Sequence, residues 1–169
     1  MMVLSTFEHL DENKQQRILA ALVTEFSKYP LAQAQVARIV KQADIARGAF
    51  YKYFSDLKDA YQYAFKEVIG RLHTGIAGPE MRRDPYAATV AFLQEADESQ
   101  DRDFIRLHFT KNSGMVTVGE PPIAANAMEW AVTTLCHSAI SQALANPEQA
   151  DLILKNLKAA LLQLHVKES

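Results

Sequence analysis

Residues 42–54, QADIARGAFYKYF, decide the fold that the sequence predicts. This stretch contains four aromatic residues, two cations and a glycine. Its neighbours Tyr51, Lys52 and Tyr53 cannot all face one core, because successive side chains on a helix point about 100° apart. Part of such a helix must therefore face solvent or a binding partner.

A helical wheel separates the stretch into two faces. Measured from Phe50, Phe54 lies at about 40°, so the two phenylalanine rings share one side of the helix. Lys52 and Gly48 lie at about 200° and 160°, on the opposite side, and Tyr51 flanks them at about 100°. The pattern predicts that the phenylalanines are buried and that the other three residues form an exposed face. A structural helix with inward aromatic rings is the alternative, since aromatic side chains usually pack into cores.

Two further helices are predicted before this one. Asp11 is a suitable N-cap for the first helix, and Pro30 ends it. Apolar residues recur at helical spacing at Ile18, Leu22 and Phe26 in the first helix and at Val36, Ile39, Val40 and Ala43 in the second. A helix, a three-residue turn and a third helix over 47–54 have the geometry of a DNA-binding helix-turn-helix motif.

The chain from Lys14 to about Phe65 resembles the N-terminal module of TetR-like transcriptional regulators. That family has the patterns I-L-x-A-A-x-x-x-F, I-A-x-x-A-G-V-S and R-G-T-F-Y-x-Y/H-F, followed by a lysine-containing turn. The corresponding stretches are ILAALVTEF (18–26), IVKQADIA (39–46), RGAFYKYF (47–54) and SDLKDAY (55–61). The resemblance implies an all-α fold, with a three-helix helix-turn-helix DNA-binding domain at 1–56 and a helical-bundle domain for ligand binding and dimerisation at 57–169.

The resemblance also implies a function and a set of DNA-binding residues. It implies a transcriptional regulator, a repressor, that binds a palindromic double-stranded DNA operator as a homodimer and is released by a small apolar or amphipathic effector. The DNA-binding positions are Gln35, Arg47, Gly48, Ala49, Tyr51, Lys52, Tyr53 and Lys58. We expect Arg47 and Ala49 to contact bases, and Gln35 to contact a phosphate. Tyr51, Lys52 and Tyr53 are expected to contact the DNA backbone.

Several residues depart from the family pattern. Asp44 replaces a glycine at a position that needs a positive φ, which Asp tolerates better than most residues. Ala46 replaces the serine that caps the third helix, and Asp44 is a candidate substitute for that cap. Leu57 stands at the family lysine position, with Lys58 one place later. These changes leave open a second function, that of a protein-interaction co-regulator without specific DNA binding.

Composition supports a globular, non-exported protein. The 169 residues are 49% hydrophobic and 22% charged, with a net charge of −2. Residues 1–66 hold nine Lys and Arg against seven Asp and Glu, whereas the remainder holds nine against thirteen. The basic surplus lies in the predicted DNA-binding part. Because the N-terminus lacks a signal peptide pattern and no apolar run is long enough to span a membrane, we expect a cytoplasmic protein without a membrane role.

The remaining hundred residues predict further helices. A connecting helix runs from Leu57 to Leu72, with Gly75, Gly78 and Pro79 after it, and helices are expected at 87–96, 104–109, 123–145 and 148–166, with a loop at 112–122. The last helix has an apolar arc too wide for one partner helix. This arc predicts burial on two sides, as in a four-helix bundle between two copies of the chain.

The sequence gives weaker indications of a small-molecule site. The candidate effector-pocket residues are Phe92, Phe104, His108, Met115, Met128, Trp130 and Cys136, although such side chains are more often part of a core. The histidines beyond the N-terminus show no paired metal-ligand spacing, and we expect neither a metal nor a cofactor. Because the catalytic glycine-loop, serine-elbow and zinc motifs are missing, a helical enzyme is the least favoured alternative.

Overall fold

The computed structural model describes residues 5–72, 82–115 and 126–164. The regular elements within these ranges are all helical. The α-helices are α1 (Ser5–Glu8), α2 (Glu12–Lys28), α3 (Val36–Gln42), α4 (Arg47–Tyr53), α5 (Leu57–Arg71), α6 (Pro85–Glu98), α7 (Arg102–Leu107), α8 (Ala127–Ala145) and α9 (Ala150–Gln163). Short 3-10 helices occupy Leu31–Gln33 and Pro147–Gln149. The predicted all-α fold is confirmed.

Helices α2, α3 and α4 form the predicted three-helix module. The N–H of Lys14 donates to the Asp11 carboxylate at 2.9 Å, so Asp11 caps α2 as expected. The helix ends at Lys28, before the Tyr29-Pro30 pair. The predicted stripe residues Ile18, Leu22, Phe26, Ile39 and Ala43 are fully buried. Together with Phe50 and Phe54 they form the small core of this module.

Helix α1 was not predicted from the sequence. Its residue Phe7 is 2% exposed, and its ring centroid lies 5.2 Å from that of Phe54 and 5.0 Å from that of Tyr63. A four-residue helix has no apolar period, so only the tertiary contacts of Phe7 show its importance. Helix α1 covers the C-terminal end of α4.

The described residues form two compact units. The first contains residues 5–70 and 103–115, and the second contains 71–72, 82–102 and 126–164. The boundary after residue 56 was drawn from the helix-turn-helix pattern, and it stays a prediction about functional domains.

The predicted helix at 104–109 has a different form in the structure. Helix α7 starts at Arg102, and after Leu107 the chain continues as a π-helical turn over His108–Asn112. Asn112, expected to begin a loop, is instead fully buried. Residues 116–122 of the predicted loop lie outside the described residues, as do Gly75, Gly78 and Pro79 beyond the connecting helix.

The second unit has its own core. Helices α6, α8 and α9 contact one another around six buried residues, Ala88, Val132, Cys136, Ala139, Leu157 and Leu161. The predicted helix 123–145 is described from Ala127 onwards, and the predicted helix 148–166 is α9, preceded by a 3-10 turn. Arg71 and the buried Asp101 form an ion pair at 3.0 Å. Of the helices that the structure describes, none is long and apolar enough to cross a membrane.

Candidate nucleic-acid interface

The exposed face of α4 has the residues that the helical wheel predicted. Gly48, Lys52 and Arg47 are exposed, and 46% of Tyr51 is accessible to solvent. On the other side of the helix Phe50 is fully buried. The face therefore combines two cations, a phenolic hydroxyl and a glycine, and all are available to a partner outside the first unit.

Open space surrounds Gly48. A Cβ atom built at this position would meet no atom within 4 Å. The glycine is thus not needed for packing within the first unit. A residue without a side chain at this point lets the helix backbone approach a large ligand closely.

The turn between α3 and α4 is formed despite the missing glycine. Asp44 has a φ of 50°, the positive value that was predicted for this position. The N–H of Ile45 donates to the carbonyl of Val40 at 3.1 Å, which closes the end of α3. The guanidinium of Arg17 donates to the carbonyl of Ala43 at 2.9 Å and ties the turn to α2.

The substitute cap at the start of α4 was not found. Ala46 is the N-cap residue and has no side-chain hydrogen bond, as expected from the lost serine. Asp44 is exposed, and among the described residues no hydrogen bond joins its carboxylate to the first amides of α4. Of these first amides, the N–H of Ala49 donates to the carbonyl of Ala46 at 2.9 Å.

Tyr53 does not lie on the exposed face, which corrects the prediction made for it. Only 5% of this residue is accessible, and its ring contacts the ring of Phe7 at a centroid distance of 5.8 Å. The amino group of Lys14 lies 6.0 Å from the centre of the Tyr53 ring. The ring is buried because α1 covers it, which the sequence of α4 alone does not indicate.

Gln35 lies at the start of α3, where its backbone N–H is held by a hydrogen bond. Its side chain is exposed, and its N–H donates to Oε1 of Glu25 at 2.8 Å. Glu25 is 4% exposed and also accepts hydrogen bonds from Nε and Nη2 of Arg38. The Arg38 guanidinium stacks on the ring of Tyr29 at 3.9 Å. The sequence analysis missed this cluster, which fixes the start of α3 against α2.

The remaining predicted contacts flank α4. Ala49 is half-buried beside Gly48, and Lys58 is exposed in the first turn of α5. The start of α5 is held by Asp56, which accepts from the N–H of Asp59 at 2.8 Å. Asp59 in turn accepts from the N–H of Ser55 at 3.0 Å. These two hydrogen bonds orient the turn in which Lys58 lies.

This module is similar to part of a known protein family. Residues 18–59 match the model of the family described as bacterial regulatory proteins, tetR family. Over these residues the helix-turn-helix module is similar to that family. The matched range contains α3, α4, the Asp44 turn and the exposed face of α4. No curated protein matches the sequence of the whole chain.

Solved structures share the fold of the chain. A TetR transcriptional regulator from Rhodococcus sp. RHA1 is 19% identical, with a TM-score of 0.53 over 92% of this chain and 97% of that one. A TetR family transcriptional regulator from Chloroflexus aurantiacus J-10-FL is 15% identical, with a TM-score of 0.50 over 97% of each chain. At these identities the likeness shows that the chains share a fold.

The seven candidate effector residues fall into different settings. Phe104, His108 and Met115 belong to the first unit, whereas Phe92, Met128, Trp130 and Cys136 belong to the second. Met115, Met128 and Trp130 are exposed, Trp130 by 64%. The other four are buried, and Cys136 is a core residue of its unit, as the alternative interpretation predicted.

His108 takes part in a buried polar contact within the first unit. Its Nδ1 lies 2.9 Å from the hydroxyl of Tyr61, and its ring lies 4.0 Å from that of Phe65. Burial lowers the pKa of His108 from 6.5 to about 4, so the imidazole is neutral at pH 7. Burial also raises the pKa of Tyr61, and the nearby Asn112 amide opposes that shift. In the neutral tautomer that carries its proton on Nε2, His108 accepts a hydrogen bond from the Tyr61 hydroxyl at Nδ1.

The described residues include no group of three or more His, Cys, Asp or Glu side chains that would hold a metal ion. The exposed charges of α3 and α4 are Lys41, Arg47 and Lys52, with Asp44 opposing them. Such a basic surface on an acidic chain suits a polyanion.

Proposed function

We propose that this protein is a DNA-binding transcription regulator, a repressor that binds a palindromic operator as a homodimer and is released by a small-molecule effector. One observation carries the DNA-binding part: Gly48, Tyr51 and Lys52 are exposed on α4, while Phe50 is buried behind them. The tetR-family module around this face supports the same conclusion. Such a regulator acts in the cytoplasm, where we expect the protein.

The contacts with DNA follow from the chemistry of each side chain. Arg47, in the first turn of α4, has the length and the paired donors to reach a guanine edge in the major groove. Lys52 and the Tyr51 hydroxyl suit phosphate oxygens, and the open backbone at Gly48 permits close approach. Gln35 and Lys58 are further phosphate contacts at the two ends of the motif. Tyr53 contributes by packing the helix onto α1.

Exposed apolar residues support the homodimer. Leu152 and Leu162 of α9 are 57% and 54% exposed, and Met128 and Trp130 of α8 are exposed too. Large apolar side chains grouped within one unit are typical of an interface. A C₂ dimer built on α8 and α9 would cover them and would supply two DNA-binding domains for a two-fold symmetric site.

The effector part of the proposal rests on the family resemblance and on the surroundings of His108. Phe65 and Tyr61 provide aromatic surfaces next to its polar ring. Small-molecule sites typically combine such apolar surfaces with few polar groups. Native mass spectrometry of the purified protein would identify a co-purifying molecule, and adding that molecule should release bound DNA.

Selection of genomic DNA fragments, followed by titration at several salt concentrations, tests the DNA-binding function. The proposal predicts a defined sequence and a steep linear fall of log affinity with log salt, because bound phosphates release their counterions. Failure to enrich any fragment would contradict it.

The protein-interaction co-regulator is the second candidate function. The uncapped start of α4 at Ala46 favours it, since a weaker recognition helix reduces DNA affinity. The regular geometry of the Asp44 turn does not favour it. A co-regulator would enrich no fragment and would bind DNA equally weakly regardless of sequence.

A further inference from the structure

Two buried side chains from other parts of the chain hold residues 29–35, the segment that connects α2 to α3. The N–H of Leu31 donates to Oδ1 of Asn112 at 3.0 Å, and the N–H of Gln35 donates to Oε1 of Glu25 at 2.8 Å. Asn112 is fully buried, and Glu25 nearly so. The segment 31–35, which leads into α3, is therefore held at its first and last residues by these two acceptors. They fix the position at which α3 begins.

Asn112 reaches Leu31 from a distant part of the sequence. It is the last residue of the π-helical turn His108–Asn112, and 81 positions separate it from Leu31. The N–H of Ser113 donates to the carbonyl of His108 at 2.8 Å, the i→i+5 bond that defines this turn. The π register sets where the Asn112 amide lies, because one inserted residue rotates every following side chain by about 100°.

The other half of the Asn112 amide is unsatisfied. Among the described residues, its buried Nδ2 has no hydrogen-bond partner of good geometry, although it lies close enough to the Tyr61 hydroxyl to lower the pKa of that group. A buried donor without a partner is unfavourable for folding. Fold stability alone therefore does not account for an asparagine here, since an apolar residue of similar volume would avoid that cost.

We propose that Asn112 is a positioning residue for DNA binding: by holding the N–H of Leu31, it couples the π-helical turn to the start of α3. This inference rests on the proposed function. Gln35, a predicted phosphate contact, lies four residues after Leu31, and α3 packs against α4, which has the exposed face. A change in the register of the π turn would move the Asn112 acceptor away and release the start of α3.

The test uses two ways of removing one hydrogen bond. Asn112→Leu removes the acceptor together with the unsatisfied donor. Leu31→Pro removes the donor. Proline is tolerated at the first position of a 3-10 helix. The preceding Pro30 has an extended ψ of 150°, which suits a residue that stands before proline. Leu31→Ala is the matched control, because it shortens the same side chain and keeps the N–H.

Each variant is titrated with the genomic fragment that the wild type selects, well below its melting temperature. We expect Asn112→Leu and Leu31→Pro each to weaken binding roughly three- to tenfold, the range for loss of one hydrogen bond. Leu31→Ala should bind DNA like the wild type. The double variant Asn112→Leu with Leu31→Pro should be no weaker than either single variant, since both remove the same bond.

Amide hydrogen exchange provides an independent measurement. In Asn112→Leu the Leu31 amide should exchange faster, while the melting temperature should change little. Wild-type DNA affinity in Asn112→Leu and Leu31→Pro would overturn the inference and leave the DNA-binding function intact. Additive losses in the double variant, or equal losses in Leu31→Ala, would also overturn it. If the wild type selects no fragment, the proposed function fails and the inference fails with it.

Discussion

At the scale of single residues, the wheel of α4 was correct, and the position that the family resemblance implied for Tyr53 was wrong. Phe50 and Phe54 are buried, and Tyr51 and Lys52 are exposed, because the helical period fixes their side of α4. Tyr53 is buried because α1 covers it, and that contact is non-local. The positive φ of Asp44 was predictable because backbone sterics at this turn allow few residue types.

Arg47 and Tyr51 should differ in their effect on sequence preference. Tyr51→Ala removes a backbone contact and should weaken binding to all DNA sequences alike. Arg47→Ala should relax the preference at one base pair by about 1–3 kcal/mol. Titration against a set of single-base variants of the selected site measures both effects. Equal preference profiles in the wild type and in Arg47→Ala would rule out base readout by Arg47.

Glu25 should stabilise the fold through the amide of Gln35. Glu25→Leu leaves that N–H without its acceptor, and we expect the free energy of unfolding to fall by about 1–3 kcal/mol. Glu25→Gln is the control, because it retains a carbonyl oxygen for the same amide and should lose less. Urea unfolding measures both variants, and equal losses would show that the amide contact is unimportant.

His108 should make stability depend on pH in acidic solution. Its pKa is lowered to about 4 in the folded state, against about 6.5 when unfolded, so the unfolded chain binds more protons between these values. Stability should therefore fall as the pH drops, by roughly 2 kcal/mol between pH 7 and pH 5. His108→Gln keeps an acceptor for the Tyr61 hydroxyl and should lack this component. Urea unfolding at both pH values gives the difference, and parallel losses in the two proteins would refute the assignment.

At the scale of elements, long amphipathic helices were predictable and short or irregular ones were not. Helix α2 was predicted with both ends because Asp11 and Pro30 give clear local signals. Helix α1 and the π turn at His108–Asn112 have no such signal in their sequence. Both depend on contacts between residues that are far apart in the chain. The hydrophobic periodicity of a single sequence gives no information about such contacts.

Helix α1 should be essential to the stability of the first unit. Phe7→Ala leaves a cavity between Phe54, Tyr53 and Tyr63, and we expect a loss of about 3–5 kcal/mol in the free energy of unfolding. Equilibrium unfolding in urea measures it. A loss below about 1 kcal/mol would mean that α1 is only loosely attached.

At the scale of the whole molecule, the all-α fold and the similarity to the tetR family were predictable, and the assembly and effector stay proposals. The RGAFYKYF stretch and the two motifs that precede it carry that similarity, and they lie within the matched residues 18–59. The candidate pocket residues were chosen by type alone, and three of the seven proved to be exposed. Side-chain type does not distinguish a pocket from a core or an interface, because all three are apolar.

The dimer proposal predicts that α9 bears a contact between copies. Leu152→Glu combined with Leu162→Glu places charges on the exposed apolar surface and should convert a dimer into monomers. Gln94→Glu, at an exposed position on α6, is the control and should leave the dimer intact. Sedimentation at micromolar concentration distinguishes the two states. A monomeric wild type would contradict the assembly.

The salt dependence of DNA binding tests the central claim most directly. Lys52→Gln removes one cation from the exposed face of α4, and Lys66→Gln removes one from an exposed position on α5, outside the predicted DNA contacts and the proposed dimer helices. On the selected fragment, Lys52→Gln should bind more weakly and lower the slope of log affinity against log salt by about one, whereas Lys66→Gln should keep the wild-type slope. Identical slopes for Lys52→Gln and the wild type would contradict DNA binding by this face.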